Sequence, residues 1–403
     1  MTSSNNSDFK PEILSPAGSF EKLQVAMDYG ADACYLAGKQ FGLRSAADNF
    51  RNQQIEQATQ FAHARGKSVY IVLNSYLHDE DFEGLKDFLL HLDKSAVDSL
   101  IISDLGVLDY VAGLVDIPIH LSTQASCLNT YSARFWKRLG VKRLILGREV
   151  SIQDAGLIKK RSGLEVELFI GGSMCMAYSG NCVISNYTQG RDSNRGGCAH
   201  SCRFEYSLDF GQNKKKNAFF MSSKDLEGLA EIPLFFEQEI DSLKIEGRMK
   251  GPLYAGSTAR VYRMGVDQYL SQGRIDVNSL REELNKLVHR DFCNGSLVDP
   301  AASDSIYNER VHNQQNVSYQ AVGTIVEASR QGGLLLKVTN AFDFNSNLEV
   351  LTFSGPCREL PVEKPVDLLG RALEKVRPNT IVRFPSIEGV EKGNLVRQYQ
   401  ARI

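Results

Sequence analysis

From Phe9 to about Tyr262, short apolar runs alternate with longer stretches in which apolar positions recur at helical spacing. Strands of a parallel sheet are covered on both faces and read as continuous apolar runs, so this alternation predicts repeated βα units. Eight such runs stand out: Glu12–Ser15, Ala33–Leu36, Lys67–Leu73, Ser99–Ile102, Pro118–Leu121, Arg143–Leu146, Glu165–Ile170 and Ser242–Ile245. Between them the spacing predicts helices over Ser19–Tyr29, Asn52–Arg65, Asp81–Leu92, Thr130–Leu139 and Ser151–Lys160, the first and last opened by a serine N-cap. Eight βα repeats over some 250 residues fit a TIM-like (β/α)8 barrel. No Gly-x-Gly-x-x-Gly follows the first strand, which argues against a dinucleotide-binding sheet.

The seventh unit is irregular. After Ile170 the chain runs about 70 residues before the eighth strand, giving a long insertion over 171–240. A helical stretch follows at Asn278–His289, and then a polar connector. The last segment alternates strand patterns with turns at Ala321–Glu327, Gly333–Thr339, Leu348–Phe353 and Thr380–Phe384, which predicts a small antiparallel β-barrel. The expected organisation is a disordered tail at 1–8, a barrel at 9–300, a linker at 301–316 and a terminal β module at 317–403.

Composition narrows the class. The chain has 403 residues, 42% hydrophobic and 23% charged, with 46 Lys and Arg against 48 Asp and Glu. These proportions exclude a disordered, collagenous or coiled-coil chain. The net charge of −2 means that any nucleic-acid contact must come from a local basic patch. No stretch approaches the ~20 apolar residues of a membrane span. The polar start Met1-Thr-Ser-Ser-Asn-Asn-Ser has no signal architecture, so a cytoplasmic location is expected.

Cys34, Cys127, Cys293 and Cys357 are scattered, whereas Cys175, Cys182, Cys198 and Cys202 fall in one 28-residue stretch of the insertion. In a reducing compartment such clustering points to a metal before a disulfide. The spacing Cys-x6-Cys-x15-Cys-x3-Cys leaves an iron–sulfur cluster, zinc and unliganded thiols all open, since zinc pairs normally stand two to four residues apart.

Other polar residues sit where strands end, which is where barrel chemistry collects. Gln124 follows the fifth strand, and Arg148 and Glu149 follow the sixth. Arg191, Asn194 and Arg195 precede the third clustered cysteine. The guanidinium forks of Arg191 and Arg195 suit carboxylates or phosphates, or ion pairs with Asp192 and its neighbours. In the eighth unit Lys244, Glu246 and Arg248 alternate onto one face, which barrel packing turns inward. Arg44 lies in the loop after the second strand, and Lys214, Lys215 and Lys216 read as a hairpin tip. No His-Glu-x-x-His and no Gly-x-Ser-x-Gly occurs, which removes two common hydrolase signatures.

The segment Glu167–Ser185 resembles the signature of the collagenase-like peptidase superfamily. Leu14–Gly18, Gly30–Tyr35, Arg148–Ser151, Asn194–Arg203, Ser223–Leu226 and Lys244–Lys250 resemble it further, so the likeness covers nearly all of the chain. Phe135–Val141 and Val338–Phe344 are most similar to the bacterial prephenate-dependent tRNA hydroxylases, which form 5-hydroxyuridine at the anticodon wobble position. The resemblance implies a [4Fe-4S] cluster on Cys175, Cys182, Cys198 and Cys202, prephenate as an oxygen-independent hydroxyl donor, and a tRNA anticodon loop as partner. It also implies a use for Arg44, Arg148, Arg191, Arg195 and Arg248, which would bind the two carboxylates of prephenate. Many relatives have His where this chain has Gly171, so no side chain there can donate. Three alternatives remain: an endopeptidase, the activity that named the superfamily; a hydroxylase of ribosomal RNA; and a noncatalytic module with structural zinc on the cysteines and a β-barrel that docks a partner.

Overall fold

The structure, a computed structural model, describes residues 9–43, 48–211, 215–300, 302, 307, 319–342, 344, 347–362 and 365–400. The predicted tail at 1–8, Arg44, Lys214 and all of the 301–316 linker except Ala302 and Tyr307 lie outside the described residues.

Strands β1 (Glu12–Pro16), β2 (Ala33–Leu36), β3 (Ser68–Leu73), β4 (Ser99–Ile102), β5 (Ile119–Leu121), β6 (Arg143–Ile145) and β7 (Glu165–Ser173) pair in parallel, each with the next. The insertion contributes a two-stranded antiparallel hairpin, β8 (Tyr206–Asp209) with β9 (Lys215–Ala218), and a short β10 (Asp225–Glu227) that runs antiparallel to the end of β7. Strand β11 (Ser242–Ile245) then pairs with both β1 and β7 and closes an eight-stranded parallel barrel, while β12 (Phe292–Cys293) extends the rim beside β10.

Helices α1 (Phe20–Asp28), α2 (Asn52–His63), α3 (Leu85–Lys94), α4 (Leu105–Ala112), α5 (Thr130–Arg138) and α6 (Ile152–Ser162) surround the barrel. The insertion holds α7 (Ile184–Gln189), and α8 (Ile232–Glu237), α9 (Pro252–Gln272) and α10 (Val277–Asn285) follow. Ser19 and Ser151 cap α1 and α6 as expected, accepting from the Lys22 and Asp154 amides. Helix α3 begins at Leu85 rather than Asp81, because Gly84 adopts φ 78° and breaks the turn at Asp79–Phe82 from the helix.

The barrel interior is polar at its closed end. Arg143 donates to Glu12 at 2.7 Å and to Glu165 at 2.8 Å and lies 3.5 Å from Glu167, which in turn accepts from Lys244 Nζ at 2.7 Å. Tyr70 and Ser242 also donate to Glu12. Burial lowers the Lys244 pKa against the opposing pull of Glu167.

Strands β13 (Tyr319–Ser329), β14 (Gly333–Val338), β15 (Leu348–Leu351), β16 (Arg358–Leu360), β17 (Ile381–Phe384) and β18 (Leu395–Tyr399) form a curled antiparallel sheet in the order β16-β15-β18-β13-β14-β17, with its own apolar core. The sheet is fastened to the barrel by Arg397. This fully buried residue donates to Glu283 of α10 at 2.7 Å and to Glu349 at 2.9 Å. Cys357 lies beside these carboxylates, but Arg397 and Lys286 already engage them, so the group is an ion-pair anchor.

Candidate functional site

The strand ends at the open mouth carry a ring of short polar side chains. Asn74 follows β3, and its Nδ2 donates to Gln124 Oε1 at 2.8 Å and to Ser122 Oγ at 3.2 Å. Gln124 is buried, and Asn181 of the insertion donates to its carbonyl. Glu149 accepts the backbone N–H of Ser179 at 2.8 Å, holding a turn at Tyr178–Gly180 over the mouth. Ser179 takes φ 51° there, a left-handed conformation that costs an L-residue about 1 kcal/mol or more and persists only when its surroundings impose it. Asn74 Oδ1, Gln124 Nε2, Arg148 Nε, Glu149 Oε2 and Ser179 Oγ are all buried without a hydrogen-bond partner among the described residues. Native interiors rarely leave such atoms unmet, and five at one rim mark a place built to receive a polar group.

Two cations line the same mouth. Arg148 stacks its guanidinium 3.7 Å from the Phe169 ring centroid and donates to the Ser173 carbonyl at 3.1 Å. Arg248 is buried and donates to Asn49 Oδ1. Lys244 lies beneath them, paired with Glu167, while Glu246 is half-buried at the rim and its carbonyl accepts from Tyr254. Gly171 is required by packing, since a Cβ there would meet the Tyr262 hydroxyl at 2.2 Å.

The arginines and the asparagine of the cysteine loop divide by position. Arg195 is taken up by Asp81 at 2.6 Å and the Tyr76 carbonyl at 2.6 Å, and this pairing holds the Asp81 carboxyl below its usual range. Its partner is therefore Asp81, 114 residues away, and not Asp192 next to it in sequence. Asn194 clamps the Cys182 backbone, donating to its carbonyl at 3.0 Å and accepting its N–H at 3.3 Å. Both residues hold the loop in shape, and both bond to Tyr76, two residues beyond Asn74: Arg195 donates to its carbonyl and the Asn194 carbonyl accepts its N–H at 3.0 Å. Arg191 is exposed.

Arg203 is the organiser that pattern reading missed. Its guanidinium donates to the Ser223 carbonyl at 2.7 Å, Ser223 Oγ at 2.8 Å and the Met174 carbonyl at 2.9 Å. It thereby ties the chain next to Cys202 to the chain next to Cys175. Burial pushes the Cys202 thiol up; Arg203 opposes that, and Cys175, Cys198 and Cys182 each push it further, so the four thiols share one neighbourhood. Cys175 is exposed and the other three are half-buried. Tyr307 of the connector returns beside Cys175 and Cys202 through a bridge to Ser223.

The donor set fits a thiolate-bound cluster. Four cysteine thiols brought together by Arg203 and the insertion are the ligand type that an iron–sulfur cluster takes, one thiolate to each iron.

No helix among the described residues is long and apolar enough to cross a membrane. Comparison with known proteins gives several likenesses. The tRNA hydroxylation protein P1 of Bacillus subtilis is 36% identical, covering 96% of this chain and 95% of that protein. A 23S rRNA 5-hydroxycytidine synthase of Escherichia coli is 33% identical over 66% of this chain but only 41% of that protein. A collagenase of Porphyromonas gingivalis is 29% identical over 72% of this chain and 74% of that protein. The model of peptidase family U32 matches residues 18–306, and the chain belongs to that family.

Proposed function

We propose that this chain hydroxylates tRNA, forming 5-hydroxyuridine at the wobble position of the anticodon, with prephenate as hydroxyl donor, without molecular oxygen, and with a [4Fe-4S] cluster on Cys175, Cys182, Cys198 and Cys202. The observation that carries this reading is the end-to-end match to a relative named for tRNA hydroxylation, which includes the terminal β module. The ribosomal-RNA relative matches the chain only in part.

Four thiols in one neighbourhood are the donor set that such a cluster takes. When bound, such a cluster supplies an electrophilic and redox-active centre at the barrel mouth. The chain's own residues would do the rest. Arg148, stacked on Phe169, and Arg248 suit the two carboxylates of prephenate, since a planar fork binds a carboxylate through paired donors. Gln124, Asn74, Glu149 and Ser179 offer donors and acceptors to a flipped-out base, and the Tyr178–Gly180 turn excludes water above them. The Lys244–Glu167 pair forms a floor with no net charge.

The geometry gives little to a peptidase. A serine–histidine contact does exist, Ser99 Oγ to His120 Nδ1 at 3.1 Å, but both residues are buried inside the barrel. Ser99 opens its strand, at the end opposite the mouth, where a polypeptide cannot reach.

Mass spectrometry of tRNA nucleosides from a strain lacking the gene tests the reading. Loss of 5-hydroxyuridine and its derivatives, restored by the wild-type gene, is expected. Unchanged nucleosides, or loss confined to a ribosomal-RNA nucleoside, would overturn it.

A further inference from the structure

The basic residues of the insertion are segregated into its first part, because the remaining stretch 225–240 holds five Asp and Glu and no Lys or Arg. Residues 171–224 hold seven Lys and Arg against three Asp and Glu, in a chain whose net charge is −2. The same stretch exposes Tyr178, Tyr187, Phe204 and Phe210, four of the nine exposed aromatic side chains among the described residues. Tyr187 is 87% exposed and Phe210 65%.

Part of this surface is a hairpin with almost no core beneath it. All but the first residue of β8 and the last of β9 are exposed. A two-stranded hairpin is marginal in water unless something packs on it. Alternation puts Tyr206, Leu208 and Phe210 on one face, and Lys216 lies across from Leu208 in the register. Lys215 on the other face lies 3.7 Å from Asp209, an exposed pair of little energetic worth. The hairpin is nevertheless anchored beside the cysteines. Tyr206 donates its hydroxyl to the Ser201 carbonyl at 2.8 Å, and Thr188 of α7 donates to Ser201 Oγ at 2.7 Å. Hairpin and α7 therefore meet at Ser201, next to Cys202, and α7 carries Tyr187 and leads into the exposed Arg191.

We propose that the β8–β9 hairpin and α7 form a docking surface for single-stranded RNA, with bases stacking on Tyr187 and Phe210 and phosphates meeting Arg191, Lys215 and Lys216. Exposed rings interleaved with Lys and Arg are the chemistry that holds a single strand without reading its sequence. A protein partner would favour an apolar centre depleted of lysine, and here Lys216 lies across from the exposed Leu208 in the hairpin. The inference rests on the tRNA reading above and locates the side from which the anticodon loop reaches the mouth.

The test is binding, measured on the full-length chain purified anaerobically, by fluorescence anisotropy with a labelled anticodon stem-loop over a range of salt concentrations. Y187A/F210A is expected to weaken binding about ten-fold or more, since each stacked base is lost. K215A/K216A is expected to lower the slope of log affinity against log salt by roughly 1.4, about 0.7 for each charge removed, and K215R/K216R to keep it. A merely structural defect would not reduce the slope in the alanine pair while leaving it intact in the arginine pair. If the wild type binds and both alanine pairs match it in affinity and slope, this surface is not the RNA site and the proposal fails alone. If the wild type does not bind the stem-loop, the tRNA reading fails with it.

Discussion

The two ends of the barrel treat buried polarity in opposite ways. At the closed end Glu12, Arg143, Glu167 and Lys244 form a connected chain of ion pairs, and Tyr70 and Ser242 take up further lone pairs. At the mouth five buried polar atoms from Asn74, Gln124, Arg148, Glu149 and Ser179 lack partners among the described residues. The first arrangement costs desolvation and recovers it within the protein; the second leaves hydrogen-bonding capacity for a ligand. Charge inside a fold thus has two uses, and what separates them is how many hydrogen-bonding atoms are left unmet: Glu167 Oε2 in the ion-pair chain, 3.5 Å from Arg143, against five at the mouth.

Breaking the ion-pair chain should have the largest effect on stability. Lys244→Met leaves the fully buried Glu167 carboxylate with Arg143, at 3.5 Å, as its remaining ion-pair partner and should lower unfolding free energy by about 3 kcal/mol in urea titration. The double variant Glu167→Leu/Lys244→Met should recover much of that loss; equal losses in the single and double variants would deny the pairing.

Next comes the clamp on the cysteine loop. Arg203→Ala removes charged hydrogen bonds to the Ser223 and Met174 carbonyls and should cost about 2–3 kcal/mol. It should also lower iron retention, read by metal analysis, because it frees the segments that carry Cys175 and Cys202. Arg203→Lys should not rescue it, as an ammonium cannot span the same acceptors.

The closed end also sets a pH dependence. Burial, then Arg143 and Lys244, push the His120 pKa well below its usual 6.5. The unfolded chain takes up a proton below about pH 6.5 while the folded chain does not. The stability contribution is therefore complete above that pH and declines as pH falls towards the folded value, by up to about 1.4 kcal/mol per pH unit. Thermal melts of wild type and His120→Gln between pH 7 and 5 should diverge in this sense; parallel curves would contradict it.

The mouth should respond least in stability and most in function. Gln124→Ala should change unfolding free energy by no more than about 1 kcal/mol, yet reduce tRNA hydroxylation roughly ten-fold or more in a complementation assay. A large stability loss with unchanged modification would make the mouth another structural network.

The eight barrel strands were legible because parallel strands buried on both faces stand out as apolar runs between helical stretches. Ser242–Ile245 was readable in the same way despite Lys244, since Leu243 and Ile245 carry the outward face. The short acidic β10 carries no such pattern: Asp225 and Glu227 are buried by their partners Arg290 and Arg281. Strand β18 was hidden for a similar reason, with Arg397 and Gln398 fully buried at positions that read as solvent-facing. The cysteines were visible as a cluster in sequence. The roles of Arg195, Asn194 and Arg203 were not, because their partners lie elsewhere in the chain or are backbone atoms, which a residue pattern does not reveal.

The central claim is that four thiols at the barrel mouth hold an iron–sulfur cluster. It is tested most directly by iron, zinc and acid-labile sulfide analysis of the anaerobically purified chain. The account predicts about four irons and four sulfides per chain, falling in Cys182→Ser. A colourless protein with one zinc and no sulfide would contradict it.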